Sequence, residues 1–263
     1  MRKIVYPAIS SYNSVSTTWT EELYQSIEAE FQAGQRAWTA ARVADSAIRY
    51  PGYIHLYKYR TVDLKNPDRT RTIFTDTTIW AASLDRFNDP LESAFVVAAG
   101  LPSKETANSL NSIVHGYWWG CVSFSSDPVC VQMWAHYASE HSGICVEYRR
   151  ADSFLLSSEN CRPMAYEPKT PVLDRLDDTI HRIFWTKSDA WEYEREWRLM
   201  YPRANAYVGS GLLVPSGIIF GLRTTDEVKR LLRECAPYVR FGQIVPARPA
   251  YRLRIRWEGE HDE

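Results

Sequence analysis

The sequence predicts an α+β fold with a mixed, mainly antiparallel sheet and flanking helices. Short strand-like runs are separated by both turns and helices, without the regular alternation of a parallel sheet. No glycine-rich phosphate loop is present, which argues against Rossmann and P-loop folds. With 263 residues, 45% of them hydrophobic, the chain is long enough to bury a substantial core. We expect an N-terminal arm with helices over residues 1–50 and a main α+β domain over residues 51–263.

The first fifty residues predict two helices packed on the body. In the first, a capping threonine precedes Leu23, Ile27 and Phe31, which recur at the four-residue spacing of one buried helical face. The second spans Arg36 to Ile48 and ends before a Tyr-Pro-Gly breaker at residues 50–52.

The rest of the chain predicts short strands with helices between them. Strands follow from alternating or short apolar runs, and helices follow from apolar periodicity and capping threonines. The predicted strands are Ile54–Arg60, Thr72–Phe74, Thr78–Ala82, Tyr117–Ser125, Ile144–Tyr148, Tyr193–Tyr201, Gly217–Phe220 and Arg252–Trp257. The predicted helices are Leu91–Ala99, Asn108–His115, Val131–Glu140, Asp174–Ile183 and Asp226–Cys235.

The amino-acid composition argues against several classes of protein. The net charge of −1, from 31 Lys and Arg against 32 Asp and Glu, gives no electrostatic basis for bulk nucleic-acid binding. The five cysteines form no Cys-x-x-Cys pair, so neither a zinc ribbon nor a thioredoxin-type redox motif is predicted. Because no signal peptide or 18-residue apolar run occurs, we expect a cytoplasmic protein without a membrane partner.

The most informative segment is WEYEREWRLMY, residues 191–201. As a single strand it would place Glu194, Glu196 and Arg198 on one face, about 6.6 Å apart. Arg198 would hold one carboxylate ionised, and repulsion between the two acids would raise the pKa of the other. Such a group is suited to binding a sugar hydroxyl or stabilising a developing cation. An exposed, charged strand face remains the alternative.

Three further segments, residues 54–60, 121–127 and 131–143, carry polar and aromatic residues at regular spacing. The candidate binding residues that they supply are Tyr57, Lys58, Arg60, Ser123, Ser125, His136 and Tyr137. For His136 a structural role in the helix is the alternative, because it has no partner at metal-ligand spacing. We therefore predict no metal site.

Five motifs in order resemble a large bacterial family classified as a domain of unknown function. They are LYKYR at 56–60, FNDPLES at 87–93, VSFS at 122–125, MWAHY at 133–137 and EREWR at 194–198. The resemblance covers about residues 54–222.

The layout also resembles the ADP-ribosyltransferase superfamily, in which three strands supply an arginine, a serine and a glutamate. This resemblance implies a split β core, NAD as the substrate, and Arg60 or Lys58 on its phosphates. Ser123 or Ser125 would contact the nicotinamide ribose, although Ser-Phe-Ser here replaces the usual Ser-Thr-Ser. Glu196 would stabilise an oxocarbenium-like transition state.

The same resemblance assigns catalysis to Glu194 and Glu196, as the Glu-x-Glu pattern of members that modify protein side chains or nucleic acid. It implies a macromolecular acceptor and a toxin or phage-defence effector, with an antitoxin or defence protein as candidate partner. One alternative is a non-catalytic ligand- or partner-binding module with a tryptophan- and tyrosine-lined pocket. The other is a metal-dependent nucleic-acid-processing defence protein that uses His136 and the two carboxylates.

Overall fold

The chain is built around an eight-stranded sheet. The computed structural model describes residues 52–97, 119–157, 160–173, 182, 184–201, 203–208 and 211–260. Within them the strands are β1 His55–Arg60, β2 Ile79–Ala81, β3 Val96–Val97, β4 Gly120–Ser125, β5 Ile144–Arg149, β6 Cys161–Pro163, β7 Ala165–Glu167, β8 Val172–Leu173, β9 Thr186–Ser188, β10 Glu196–Tyr201, β11 Ala206–Val208, β12 Pro215–Phe220, β13 Arg240–Pro246 and β14 Leu253–Trp257. The α-helices are α1 Asp68–Thr75, α2 Val131–Tyr137, α3 Phe154–Ser157 and α4 Asp226–Cys235, and 3-10 helices occupy Leu84–Arg86, Arg150–Asp152 and Asp189–Glu194.

The large sheet has the order β14-β13-β12-β5-β1-β4-β10-β6. All its neighbouring strands run antiparallel except β12 and β13, which are parallel. Three two-stranded sheets accompany it: β11–β2 is antiparallel, whereas β3–β8 and β7–β9 are parallel. The predicted fold class, a mixed and mainly antiparallel α+β fold, is confirmed.

The register of the strands defines two faces of the large sheet. On the core face, Leu56, Val122, Val146 and Leu199 form the main hydrophobic cluster together with buried residues of α1 and α4. The opposite face, here called the site face, is partly covered by α2, whose Trp134 packs with buried residues of β1, β5 and β12. Helix α2 and the 3-10 helix Asp189–Glu194 are in contact there.

Most predicted elements with strong local signals are confirmed. Helix Asp226–Cys235 begins and ends as predicted, and the Thr225 hydroxyl accepts a hydrogen bond from the backbone NH of Val228 at 3.4 Å. Two predictions are wrong. Thr72–Phe74 belongs to α1 rather than to a strand, because Ile73 and Phe74 are buried beside Thr70 on one helical face. Residues 91–97 form a turn and then β3 instead of a helix from Leu91 to Ala99.

The third correction concerns the strand predicted from Tyr193 to Tyr201, which begins only at Glu196. Arg195 has a φ of 44°, a left-handed conformation that interrupts an extended chain. The helices predicted over residues 1–50, 108–115 and 174–183 lie outside the described residues, apart from Arg182. No helix in the described part of the chain is long and apolar enough to cross a membrane.

A close backbone contact joins the segment after α2 to the end of β1. A Cβ atom on Gly143 would lie 2.2 Å from the carbonyl oxygen of Arg60, which leaves no room for a side chain. The hydroxyl of Thr224 also donates to the Gly143 carbonyl oxygen, at 2.6 Å. This contact holds α2 against the site face.

We expect Gly143→Ala to destabilise the protein strongly, by about 3 kcal/mol or more, because two backbone segments would have to separate. Gly259→Ala is the matched control. Its φ of 88° is strained for alanine, but nothing lies within 4 Å of the added methyl group. The control should cost about 1 kcal/mol. Urea unfolding of both variants tests this expectation, and equal losses of stability would contradict it.

Candidate active site

A row of mostly polar residues crosses the site face over six neighbouring strands. Directly paired residues of adjacent strands project from the same side of a sheet. In order across β10, β4, β1, β5, β12 and β13, the row consists of Glu196, Ser125, Tyr57, Glu147, Gly217 and Arg240. Three predicted site residues, Tyr57, Ser125 and Glu196, therefore lie side by side on three neighbouring strands.

Arg198 is the centre of a buried ionic cluster at the Glu196 end of this row. Its guanidinium donates to both carboxylate oxygens of Glu92, at 2.7 and 2.9 Å, and to both of Glu196, at 2.9 and 3.2 Å. Nη1 also donates to the Phe184 carbonyl oxygen at 2.9 Å. Its side chain has no exposed surface, so the guanidinium is satisfied entirely by the protein.

Lys187 connects this cluster to Glu194. Its ammonium group lies 2.6 Å from Glu194 Oε2 and 3.1 Å from Glu196 Oε2. The Tyr137 hydroxyl donates to Glu194 Oε1 at 2.6 Å and accepts from the amide of Asn88 at 2.8 Å. Because Asn88 is exposed and Tyr137 half-buried, the chain of hydrogen bonds leads from the buried acids to the surface.

The turn before β10 brings the two acids together. Glu194 ends the 3-10 helix Asp189–Glu194, and Arg195, in a left-handed conformation, separates that helix from β10. The Ser125 hydroxyl donates to the Glu194 carbonyl oxygen at 2.7 Å, which fixes the turn against β4. Glu194 and Glu196 both bond to Lys187. The single strand from which Glu194 was placed beside Glu196 is wrong, because Glu194 lies in the 3-10 helix.

The cations of the cluster hold Glu196 in the ionised form. Burial alone would raise the pKa of Glu196, but Arg198 and Lys187 outweigh it and lower that pKa to about 2. Conversely, burial would lower the pKa of Lys187, but Glu196 and Glu194 raise it. Glu196 is therefore an anion throughout the physiological range and is suited to electrostatic stabilisation rather than to accepting a proton.

Lys58 lies where β1 and β4 separate. These strands have one directly paired position, Tyr57 with Ser125, and the Lys58 ammonium donates to the Ser123 carbonyl oxygen at 2.5 Å. Burial and the neighbouring Arg60 guanidinium lower the pKa of Lys58 to about 8. Its amine thus bridges the two strands from within the sheet.

The structure does not bring Arg60 to this cluster. Arg60 lies on the opposite face of β1 from Tyr57 and Tyr59. Its side chain lines a separate cavity with Arg69, Trp80 and Tyr207. His136 is exposed on α2, with its ring 6.3 Å from that of Tyr193. Among the described residues, no group of three or more His, Cys, Asp or Glu is arranged to hold a metal ion.

Four residues of the site face were missed by sequence reasoning: Glu92, Lys187, Glu147 and Arg240. Glu147 has no exposed surface, and its carboxylate accepts hydrogen bonds from Nε and Nη2 of Arg240, at 3.0 and 2.6 Å. The Arg240 guanidinium in turn lies 3.8 Å over the Trp257 ring centre. Glu92 stood in the FNDPLES motif, the one sequence signal that pointed to any of the four.

Comparison with known proteins gives one match. Residues 133–199 match the profile of a family described as protein of unknown function (DUF2971). The chain is similar to that family over this segment. The DUF2971 segment runs from α2 into β10 and contains Tyr137, Lys187, Glu194, Glu196 and Arg198. No curated protein and no solved structure matches the chain.

Replacing Arg198 by methionine should destabilise the DUF2971 segment severely. The change leaves Glu92 and Glu196 buried without their main counter-charge, and breaking a buried pair from one side costs about 3–5 kcal/mol. Arg233→Met is the control, because Arg233 and Glu258 pair at the surface with side chains 43% and 53% exposed. It should cost under about 1 kcal/mol. Chemical unfolding measures both, and a loss for Arg198→Met as small as the control's would show the cluster to be energetically unimportant.

The stability of the fold should also depend on the ionisation of Glu196. Its pKa is lower in the folded chain than its ordinary value of 4.5, so the carboxylate stabilises the fold above that value. The contribution is lost as the pH falls from 4.5 towards about 2. Unfolding free energies of the wild type and Glu196→Gln, measured from pH 6 to pH 2.5, should therefore converge on acidification. A constant difference over that range would contradict the assignment.

Proposed function

We propose that the protein is an NAD-dependent, ADP-ribosyltransferase-like enzyme acting on a macromolecular target. The observation that carries the proposal is the side-by-side placement of Tyr57, Ser125 and Glu196 on neighbouring strands β1, β4 and β10. The superfamily that the sequence resembles draws an arginine, a serine and a glutamate from three strands. Here Ser125 and Glu196 are directly paired, and Tyr57 lies on the third strand. The Glu-x-Glu pair spans the end of the 3-10 helix Asp189–Glu194 and the start of β10, and both carboxylates are paired with Lys187.

The reaction requires a fixed negative charge beside the ribose. The bond between the ribose C1′ and the nicotinamide nitrogen breaks, and nicotinamide leaves with the electron pair. The acceptor then bonds to C1′ and gives up its proton. Positive charge develops on the ribose in between, and a carboxylate that is already ionised and immobile stabilises it without reorganisation. Glu196 meets that requirement because its pKa lies at about 2 and Arg198 and Lys187 hold it in place.

The remaining residues take supporting roles in this proposal. Glu194 and Tyr137 connect Glu196 to the surface, so we assign to Glu194 the contact with the acceptor. Ser125 acts as a positioning residue, because its hydroxyl is bonded to the Glu194 carbonyl oxygen.

The residues present fit the ribose end of NAD better than its phosphates. Arg60 faces away from Glu196, and the guanidinium at the other end of the row belongs to Arg240, whose side chain is 49% exposed. We therefore assign the phosphate contact on this face to Arg240 instead of Arg60.

A second candidate is a non-catalytic ligand-binding module. The environment of Glu196 favours this candidate. The residue is only 3% exposed, and its two carboxylate oxygens already accept three hydrogen bonds from Arg198 and Lys187. In this case the ionic cluster would serve to hold the shape of a surface formed by Tyr137, Tyr193 and Trp191.

Turnover of NAD by isosteric variants tests the enzyme proposal. Purified protein with NAD should release nicotinamide, and Glu196→Gln should lower kcat by about 10²–10³-fold, as loss of a preorganised electrostatic group does. The variant should remain folded, since Glu92 and Glu194 still balance Arg198 and Lys187. Glu194→Gln should impair transfer to a protein or nucleic-acid acceptor more than hydrolysis by water.

Glu192→Gln is the matched control, because Glu192 is exposed on the same 3-10 helix. It should leave nicotinamide release unchanged. Absence of nicotinamide release from folded wild-type protein, with a range of acceptors, would overturn the enzyme proposal. If NAD or another ligand then bound without turnover, and Glu196→Gln weakened it, the binding-module candidate would be the better one.

A further inference from the structure

A cavity lies away from the row of the site face. It has a volume of about 230 Å³ and is lined by Arg60 at the end of β1, Arg69 and Ile73 of α1, Thr78, and the rings of Trp80 and Tyr207. The charged side chains in this lining are both arginines. Among the residues that the structure describes, no acidic one lines it, in contrast to the acid-rich cluster around Arg198.

Arg60 has no counter-charge in the described part of the chain. Its Nε is buried without a hydrogen-bond partner, and no ion pair with a described carboxylate satisfies the guanidinium. Burial, together with the nearby Arg69, lowers the pKa of Arg60 below its ordinary value. Burying an unpaired charge is costly, and an anion in the cavity would offset that cost.

Two aromatic rings form the wall of the same cavity. Trp80 and Tyr207 are directly paired across β2 and β11, with ring centres 5.1 Å apart at an interplanar angle of 77°. They are 37% and 51% exposed, so part of each ring faces solvent at the cavity mouth. A ligand with a planar group would cover this surface, since aromatic faces bind planar rings by stacking.

We propose that this cavity binds a nucleoside monophosphate, with its phosphate on Arg60 and Arg69 and its base against Trp80 and Tyr207. The planar fork of an arginine suits the oxygens of a phosphate. The volume of about 230 Å³ lies below the ~300–1,000 Å³ that encloses a whole drug-sized ligand. It therefore takes the phosphate and sugar and leaves the base at the mouth. This site stands independently of the ADP-ribosyltransferase proposal, because it shares no residue with the Glu196 cluster.

Thermal unfolding with three probes tests the site. Adenosine 5′-monophosphate at a large excess over its Kd should raise the Tm by about 5 °C. Inorganic phosphate should give a smaller rise, and adenosine none, at matched ionic strength. Quenching of tryptophan fluorescence by the nucleotide should follow the same order, because Trp80 lies beside the base.

Variants then assign the effect to the cavity. Arg60→Met should leave the ligand-free protein as stable as the wild type or more so, because it removes a partly buried guanidinium whose Nε has no hydrogen-bond partner. It should also weaken nucleotide binding at least tenfold. Trp80→Leu should remove the advantage of the nucleotide over inorganic phosphate. Arg71→Met is the matched control, because Arg71 is exposed on the same helix and pairs with Asp68 at 3.5 Å outside the cavity. It should bind the nucleotide like the wild type.

Three results would overturn the proposal. The first is a Tm that does not respond to the nucleotide. The second is an equal response of the Arg60→Met, Arg71→Met and wild-type proteins, which would mark a general charge effect. The third is stabilisation by a 5′-phosphorylated oligonucleotide without any by the mononucleotide, which would identify a nucleic-acid end as the occupant.

Discussion

The rest of the site depends on the hydrogen bonds from the Arg198 guanidinium to Glu92 and Glu196. One guanidinium with five donor hydrogens bonds to Glu92 before β3, to Glu196 on its own strand and to the backbone at Phe184, so it joins three distant parts of the chain. A lysine ammonium has neither the number of donors nor the planar geometry to replace it. Three carboxylates and two cations are buried together here, and each oxygen of Glu196 has a hydrogen-bond partner. Its geometry also explains why Glu196 stays ionised where burial alone would neutralise it.

Sequence reasoning succeeded where the decisive interactions are local. Asp226–Cys235 was predicted to the residue because its cap, its acidic first turn and its apolar spacing all lie within one short segment. Glu196 and Arg198 were likewise placed on one face because they are two residues apart in a strand. Glu194 shows the limit of that reasoning. Its carboxylate reaches the cluster because Arg195 adopts a left-handed conformation. Arginine has no preference for that conformation, so the residue type does not predict it.

The parts that were missed depend on contacts between residues remote in the sequence. Arg198 and Glu92 are 106 positions apart, and no periodicity relates them. Lys187 lies in a short strand whose side-chain direction depends on its pairing with β7. The case of Arg60 is more instructive. Strand alternation places Arg60 and Tyr57 on opposite sides of β1, but only the register with β4 and β10 shows that Glu196 shares the side of Tyr57. Pairing therefore decides which residues form the site.

Strand β1 thus separates two chemically opposite environments. Tyr57 belongs to the site face, where Glu92, Glu147, Glu194 and Glu196 are all paired with Arg198, Lys187 or Arg240. Arg60 instead enters a cavity whose charged lining, among the described residues, consists of arginines. A slip of one residue in β1 would exchange the two faces, because strand side chains alternate. Two contacts oppose such a slip. The Lys58 ammonium is bonded to the Ser123 carbonyl oxygen, and the Arg60 carbonyl oxygen meets Gly143 at a distance that excludes any side chain. The register of one short strand therefore determines both the acid cluster and the basic cavity.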